Sequence, residues 1–137
     1  MNNRFGYRGY IASRAVRGTV QPQHVQNLVV RDYAQRNRLS YLLSATEYAM
    51  PGCYMVLESV LNELAHVEGV ICYSLFMLPQ RPERRREIYR RVFEAGCSLH
   101  GALEGMAIKG RSDIAMLEDI FMVDQFAAKA LPAGLPA

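Results

Sequence analysis

Residues 70–75, Val-Ile-Cys-Tyr-Ser-Leu, form a short apolar run between Gly69 and the loop that opens at Phe76. A run of this length, rich in β-branched and aromatic side chains and bounded by turn signals, predicts a strand buried on both faces. The flanking segments are helical. Upstream, Leu57, Val60, Leu61 and Leu64 recur at i, i+3, i+4 and i+7, the stripe of a helix docked on a core that ends near Val67. Downstream, residues 83–95 are strongly charged, with Ile88, Val92 and Ala95 on one side and Gly96 in the position that favours a left-handed cap.

The alternation continues toward both ends. Residues 5–12 read as a first strand, and Pro22 opens a helix to about Arg38 whose inner face is predicted to be Val25, Leu28, Val29 and Tyr33. Residues 40–45 (SYLLSA) and 98–103 are two further strands. Strands interleaved with helices predict a single three-layer α/β domain over residues 1–130, with a four- to five-stranded, mostly parallel sheet flanked by helices. The segment 112–130 leaves little polar face: Ile114, Met116, Leu117, Ile120, Phe121, Met122, Val123, Phe126 and Ala127 exceed what docking on one domain requires. It is expected to be an oligomerisation helix, making a dimer or tetramer that Phe121→Glu disrupts. Two prolines and a glycine mark residues 131–137 as a flexible tail.

The 137 residues suit one domain, and 50% hydrophobic with 21% charged residues is a globular balance. Three cysteines in apolar stretches argue for a reducing cytoplasm rather than a disulfide scaffold. The N-terminus lacks the pattern of a signal peptide, and no apolar run approaches the roughly 20 residues of a membrane span. A soluble cytoplasmic protein with no membrane partner is therefore expected. The net charge is +3, carried by fourteen arginines and two lysines. Arginine grips phosphates and carboxylates in two-point fashion, so this bias points to anions, although a high-GC genome has the same effect. Residues 1–38 hold seven Arg against one Asp, residues 39–80 four Glu and no cation, and residues 81–91 six Arg against two Glu. Two basic zones of this kind suit the flanks of one site, and a solvated helix face accounts equally well for the second.

Ligands of parallel sheets bind beyond the carboxyl ends of the strands. The residues expected there are Ser13 and Arg14 after the first strand, Ser44, Thr46, Glu47 and Tyr48 after the second, Tyr73 and Ser74 at the third, and His100 and Glu104 at the fourth. Each also has a plain structural role: a turn hydroxyl, a packed strand residue, an ion-pair partner. Arg14, Arg17, Gly18 and Thr19 resemble an anion-holding loop ahead of the helix start at Pro22. Glu47 and His100 are the acid/base candidates, because proton transfer near neutrality needs an imidazole or a carboxylate of raised pKa. His24 and Gln26 open the first helix with groups suited to sugar hydroxyls. No Walker or dinucleotide fingerprint occurs, so no cofactor is expected, and the separated histidines and cysteines predict no metal site.

The strings YIASR (10–14), PQHVQNLVVRDYA (22–34), LLSATEYAMPGCYM (42–55) and YSLFMLP (73–79) resemble a family of bacterial "sporadic carbohydrate cluster" proteins over about residues 7–120. That resemblance implies a part in making an unusual sugar for a surface glycan. With the basic loop, it leads to an expected partner: a phosphorylated or nucleotide-linked sugar, acted on by isomerase-, epimerase- or lyase-type acid/base chemistry. The alternative is a non-catalytic sugar-binding or partner protein of a carbohydrate-pathway enzyme.

The order of elements is also similar to the catalytic domain of small serine recombinases (resolvases). There, a Tyr-x-Arg-x-Ser strand end precedes a glutamine-bearing helix, an Arg-x-Gly turn, and a strand closing in Leu-Asp-Arg-Leu-Gly-Arg. Here those positions hold Tyr10, Ala12 and Arg14, then Met50 and Gly52, then Leu75, Phe76, Met77, Leu78, Pro79 and Gln80. The nucleophile and the phosphate-binding cations are replaced, so only architecture is implied. A degenerate DNA binder is a further alternative, but no basic recognition module follows the domain and no nucleic-acid partner is expected.

Overall fold

The computed structural model describes residues 4–130, with the side chains of Lys129 and Ala130 outside that description. The tail expected at 131–137 lies outside the described residues. In chain order the elements are β1 (Tyr7–Ala12), α1 (Gln23–Arg36), β2 (Tyr41–Glu47), α2 (Met55–Leu61), β3 (Gly69–Cys72), α3 (Pro82–Glu94), β4 (Ser98–Gly101), β5 (Met106–Ile108) and α4 (Arg111–Ala130). They form one five-stranded sheet in the order β2-β1-β3-β4-β5. The first four strands pair in parallel and β5 joins β4 antiparallel. The α/β architecture expected from the alternating pattern is therefore present.

The strand 70–75 is shorter than its apolar run. Pairing stops at Cys72, and Ser74 turns the chain into a single 3-10 turn, Leu75–Met77, by accepting a hydrogen bond from the Phe76 N–H at 3.1 Å. The segment expected as strand 98–103 likewise ends at Gly101 and turns through Leu103 and Glu104 into β5. All four residues of β3 and of β4 are buried, as strands covered on both faces must be.

Register determines which side chains share a face. Gly9 pairs with Ser44 and Ile71, and Ile71 with His100, so these four lie on one face. Helix α1 covers it, with Tyr33 reaching His100. Ala12 pairs with Glu47, and Tyr10 with Ala45 and Cys72, on the opposite face. Helix α2 covers that side, and α3 lies beside it through the Arg91–Glu58 ion pair.

Helix α1 keeps Tyr33 of its predicted inner face inward but turns Leu28 out, and α4, whose apolar residues predict no single inner face, acquires one from its contacts. In α1 the buried residues are Gln26, Val30, Tyr33 and Ala34, whereas Leu28 is 61% exposed. The Gln26 amide accepts from the Ala12 N–H at 2.9 Å and donates to the Ala12 carbonyl at 2.8 Å and the Gln21 carbonyl at 2.9 Å. The two bonds to Ala12 hold α1 to the end of β1 and set its rotation, and the third ties the helix to the loop before it. In α4, Leu117 and Phe121 are buried while Met116, Met122, Val123 and Phe126 are exposed. Phe121 packs edge-on to Phe76 and beneath the Arg85 guanidinium. It is thus a core residue of its own domain, and Phe121→Glu probes folding rather than assembly. Arg85, 2% exposed, clamps α4 to α3 through a two-point ion pair with Glu118 at 2.8 Å.

Candidate functional site

The carboxyl edge of the sheet opens where the chain leaves β1 toward one face and β3 toward the other. A cavity of about 450 Å³ lies there, lined by Val16, Arg17, Thr19, Gln21, Tyr73, Ser74, Phe76, Leu103 and Glu104. Its walls come from the loops after β1, β3 and β4, as expected at a topological switch point. Tyr73, Ser74 and Glu104 of the sequence-selected residues meet in it. Arg17 and Thr19, read as part of an anion-holding loop, also line it, as does Gln21, which no motif marks.

Glu104 is held by its surroundings. It accepts from the Ser74 hydroxyl at 2.7 Å and the Leu75 N–H at 2.8 Å. A Cβ on Gly101 would lie 2.6 Å from Glu104 Oε1 and 2.5 Å from Leu75 Cγ, so only glycine at the end of β4 lets the carboxylate fold back over β3. Arg17 is displayed by a tight turn in which Val16 and Thr19 pair, and Arg17 and Gly18 both have positive φ, 53° and 79°. That is the dihedral signature of a type I′ turn, which a non-glycine residue adopts at some energetic cost. The Arg17 side chain lies over the Phe76 ring at 4.5 Å and ion-pairs with Asp124 at 2.6 Å. The cavity thus offers hydroxyls, an amide, a carboxylate and one cation at the sheet's ligand-binding edge.

The acid/base pair expected from the sequence does not assemble. Glu47 and His100 lie on opposite faces of the sheet, separated by register. Glu47 is fully buried and accepts from the Tyr10 hydroxyl at 2.8 Å and from the N–H groups of Leu57, Val56 and Tyr48 at 3.0, 3.1 and 3.1 Å. Burial pushes its pKa up, but the four donors outweigh that and hold it below the ordinary carboxylate value. It ties the first turn of α2 to the sheet. His100 is buried between Tyr33 and Ser98, at 2.7 Å and 2.8 Å, and burial, with Lys109 adding to it, pushes its pKa down to about 4.

The remaining sequence-selected residues do not line the cavity either. Ser13 donates to the Glu47 carbonyl at 2.6 Å and closes a turn, and Gln26 is the lock described above. Ser44 pairs with the Tyr41 hydroxyl at 2.6 Å on the α1 face, and His24 is exposed in the first turn of α1. Arg14 spends Nη1 on the carbonyls of Tyr48, Met50 and Cys53, at 3.2, 2.9 and 2.7 Å, bracing the loop into α2. The two basic zones do converge at one point: Arg14 and Arg84 each lie 4.9 Å from the centre of the Tyr54 ring. Among the described residues no cluster of three or more His, Cys, Asp or Glu could hold a metal ion, and no helix is long and apolar enough to cross a membrane.

The strand order and paired helical layers define a single mostly parallel α/β domain with the resolvase-like arrangement. No protein-family model matches the chain, and no curated protein matches it significantly. Among solved structures it is similar to the crystal structure of the N-terminal catalytic domain of TP901-1 integrase, with a TM-score of 0.56 and 14% identity over 89% of this chain and 97% of that one. At that identity the likeness shows the fold alone.

Proposed function

We propose that the protein binds a phosphorylated or nucleotide-linked sugar in the carboxyl-edge cavity and transforms it by proton transfer, in the making of an unusual glycan sugar. The observation that carries this reading is the convergence of Tyr73, Ser74, Glu104, Gln21, Thr19 and Arg17 on one cavity at the switch point of the sheet. Hydroxyl, amide and carboxylate groups read sugar hydroxyls, and a guanidinium holds an anionic group. The carbohydrate-cluster resemblance, which rests on the sequence strings, supplies the pathway. In this reading Glu104 replaces Glu47 as the carboxylate that moves a proton, and Arg17 replaces Arg14 as the anion holder.

A second reading, a non-catalytic binding or partner protein, draws on α4. Met116, Ile120, Val123 and Ala127 follow a 4-3-4 spacing along a groove of about 500 Å³ that also reaches Arg17 and Phe76. That spacing is the seam of helix-on-helix packing, so in this reading a helix of a carbohydrate-pathway enzyme docks there, a place that a second copy of α4 would otherwise fill.

A thermal-shift screen of sugar phosphates and nucleoside diphosphate sugars tests the first reading. A ligand at a hundredfold excess over its Kd stabilises by about 2.7 kcal/mol, enough to register. The shift is expected to survive Arg14→Ala and vanish in Arg17→Ala, and deuterium uptake from D2O into the bound sugar is expected to vanish in Glu104→Gln. A screen without any shift removes the sugar reading and leaves the partner reading.

A further inference from the structure

A different cavity, of about 470 Å³, opens at the opposite, amino edge of the sheet, lined by Arg4, Tyr7, Glu68, Phe93, Gly96, Cys97, Ser98 and Lys109. Its charges are unbalanced. Among the described residues neither Arg4 nor Lys109 makes an ion pair, and Glu68 accepts the Gly6 N–H at 2.8 Å. Gly69 sits between Tyr7 and Ser98 in the register, and a Cβ there would lie 2.2 Å from the Ser98 carbonyl oxygen and 2.8 Å from the Tyr7 ring, so glycine lets β1, β3 and β4 bring Tyr7 and Ser98 together at the cavity.

A buried hydrogen-bond chain ends at that cavity. Tyr33 has one hydroxyl proton and, among the described residues, one partner, Nδ1 of His100 at 2.7 Å. Burial raises the Tyr33 pKa and lowers that of His100, so the phenol stays protonated and the imidazole neutral near pH 7. The phenol therefore donates to Nδ1, which places the ring proton on Nε2, 2.8 Å from Ser98 Oγ. Ser98 then receives a hydrogen bond from below, and its own proton is free to donate into the cavity. Three kinds of donor, a hydroxyl, a guanidinium and an ammonium, face a space with one engaged carboxylate.

We propose that this amino-edge cavity is a binding site for a small oxyanion, held by Arg4 and Lys109 and oriented by the Ser98 hydroxyl. It is separate from the carboxyl-edge cavity and does not depend on the function proposed for that cavity. Carboxylate and phosphate share the required chemistry, so inorganic phosphate and malonate are the two probes, titrated calorimetrically against the full chain at constant ionic strength with chloride as the control.

Saturable binding of one probe over chloride is expected, and which probe binds names the oxyanion. Lys109→Ala is expected to weaken it at least tenfold, and Ser98→Ala severalfold. Lys109 is exposed, so its variant folds, and circular dichroism checks each protein. Arg17→Ala, at the other edge, is expected to leave the affinity unchanged. Binding lost in Arg17→Ala but kept in Lys109→Ala would move the anion to the carboxyl edge and overturn the proposal. No saturable binding of either probe would overturn it as well.

Discussion

Replacing Glu47 tests whether this carboxylate is structural, and the structure sets the scale of the effect. Alanine at 47 strands the hydroxyl of Tyr10, itself fully buried, and the buried Leu57 N–H, along with the amides of Val56 and Tyr48. A buried donor left without a partner costs about 1–3 kcal/mol, and partly buried amides recover some water, so Glu47→Ala is expected to lose about 4 kcal/mol. A domain of this size has roughly 5–15 kcal/mol in total. Glu47→Gln keeps Oε1 for Tyr10 and Leu57 but turns an NH₂ group toward two N–H donors, for a loss of about 2 kcal/mol. The assay is urea unfolding followed by circular dichroism at pH 7, with the m-value checked for constancy.

The pH dependence has a definite sign. The folded pKa of Glu47 is lowered from 4.5, so its stabilising contribution is complete above that value and fades as pH falls through the folded pKa. The gap between wild type and Glu47→Gln should therefore be full at pH 7 and close in acid. A Glu47→Gln protein as stable as wild type, with turnover abolished, would refute the structural assignment and restore the acid/base role.

Two other perturbations separate the layers of the fold. His100 titrates at about 4 in the folded chain against 6.5 in the unfolded one, so below pH 6.5 the unfolded state gains the proton first and stability falls by about 3 kcal/mol down to pH 4; His100→Gln should flatten that limb of urea midpoints against pH, and an unchanged limb would place its origin elsewhere. Glu118→Ala leaves the Arg85 guanidinium buried without its carboxylate and should cost about 3–5 kcal/mol while speeding amide exchange along α4, whereas a loss below about 1 kcal/mol would show that Leu117 and Phe121 alone hold the helix. If copies assemble through α4, Val123→Glu, on the exposed side of that helix, should give monomers by light scattering with a native circular dichroism spectrum, and an unchanged assembly would remove the α4 seam from it.

Apart from β5, the short antiparallel edge strand at Met106–Ile108 that no sequence signal placed, the elements and their order were legible because each is a local signal. The run at 70–75, the Leu57–Leu64 stripe and Gly96 mark a strand, a helix and a helix end without reference to anything distant. From alternation alone follow a parallel sheet and a ligand-binding edge, and Tyr73, Ser74 and Glu104 do meet at that edge.

What tertiary structure alone decided is parity and rotation. In β3 and β4, covered on both faces, every residue is buried, so no alternation reveals which side a residue takes. Glu47 and His100 could be placed near strand ends from sequence, but only the pairing of Ala12 with Glu47 and of Gly9, Ile71 and His100 in another row put them on opposite faces. Helix rotation escaped for a related reason: the buried Gln26 amide, bonded to main-chain atoms, turns Leu28 of the predicted stripe outward while Val29 and Tyr33 stay against the core. In α4, apolar residues surround the helix, so its inward face is chosen by where Arg85 and Phe76 stand. The amino-edge cavity has no sequence signature at all, because Arg4, Ser98 and Lys109 are brought together by strand pairing across almost the whole chain.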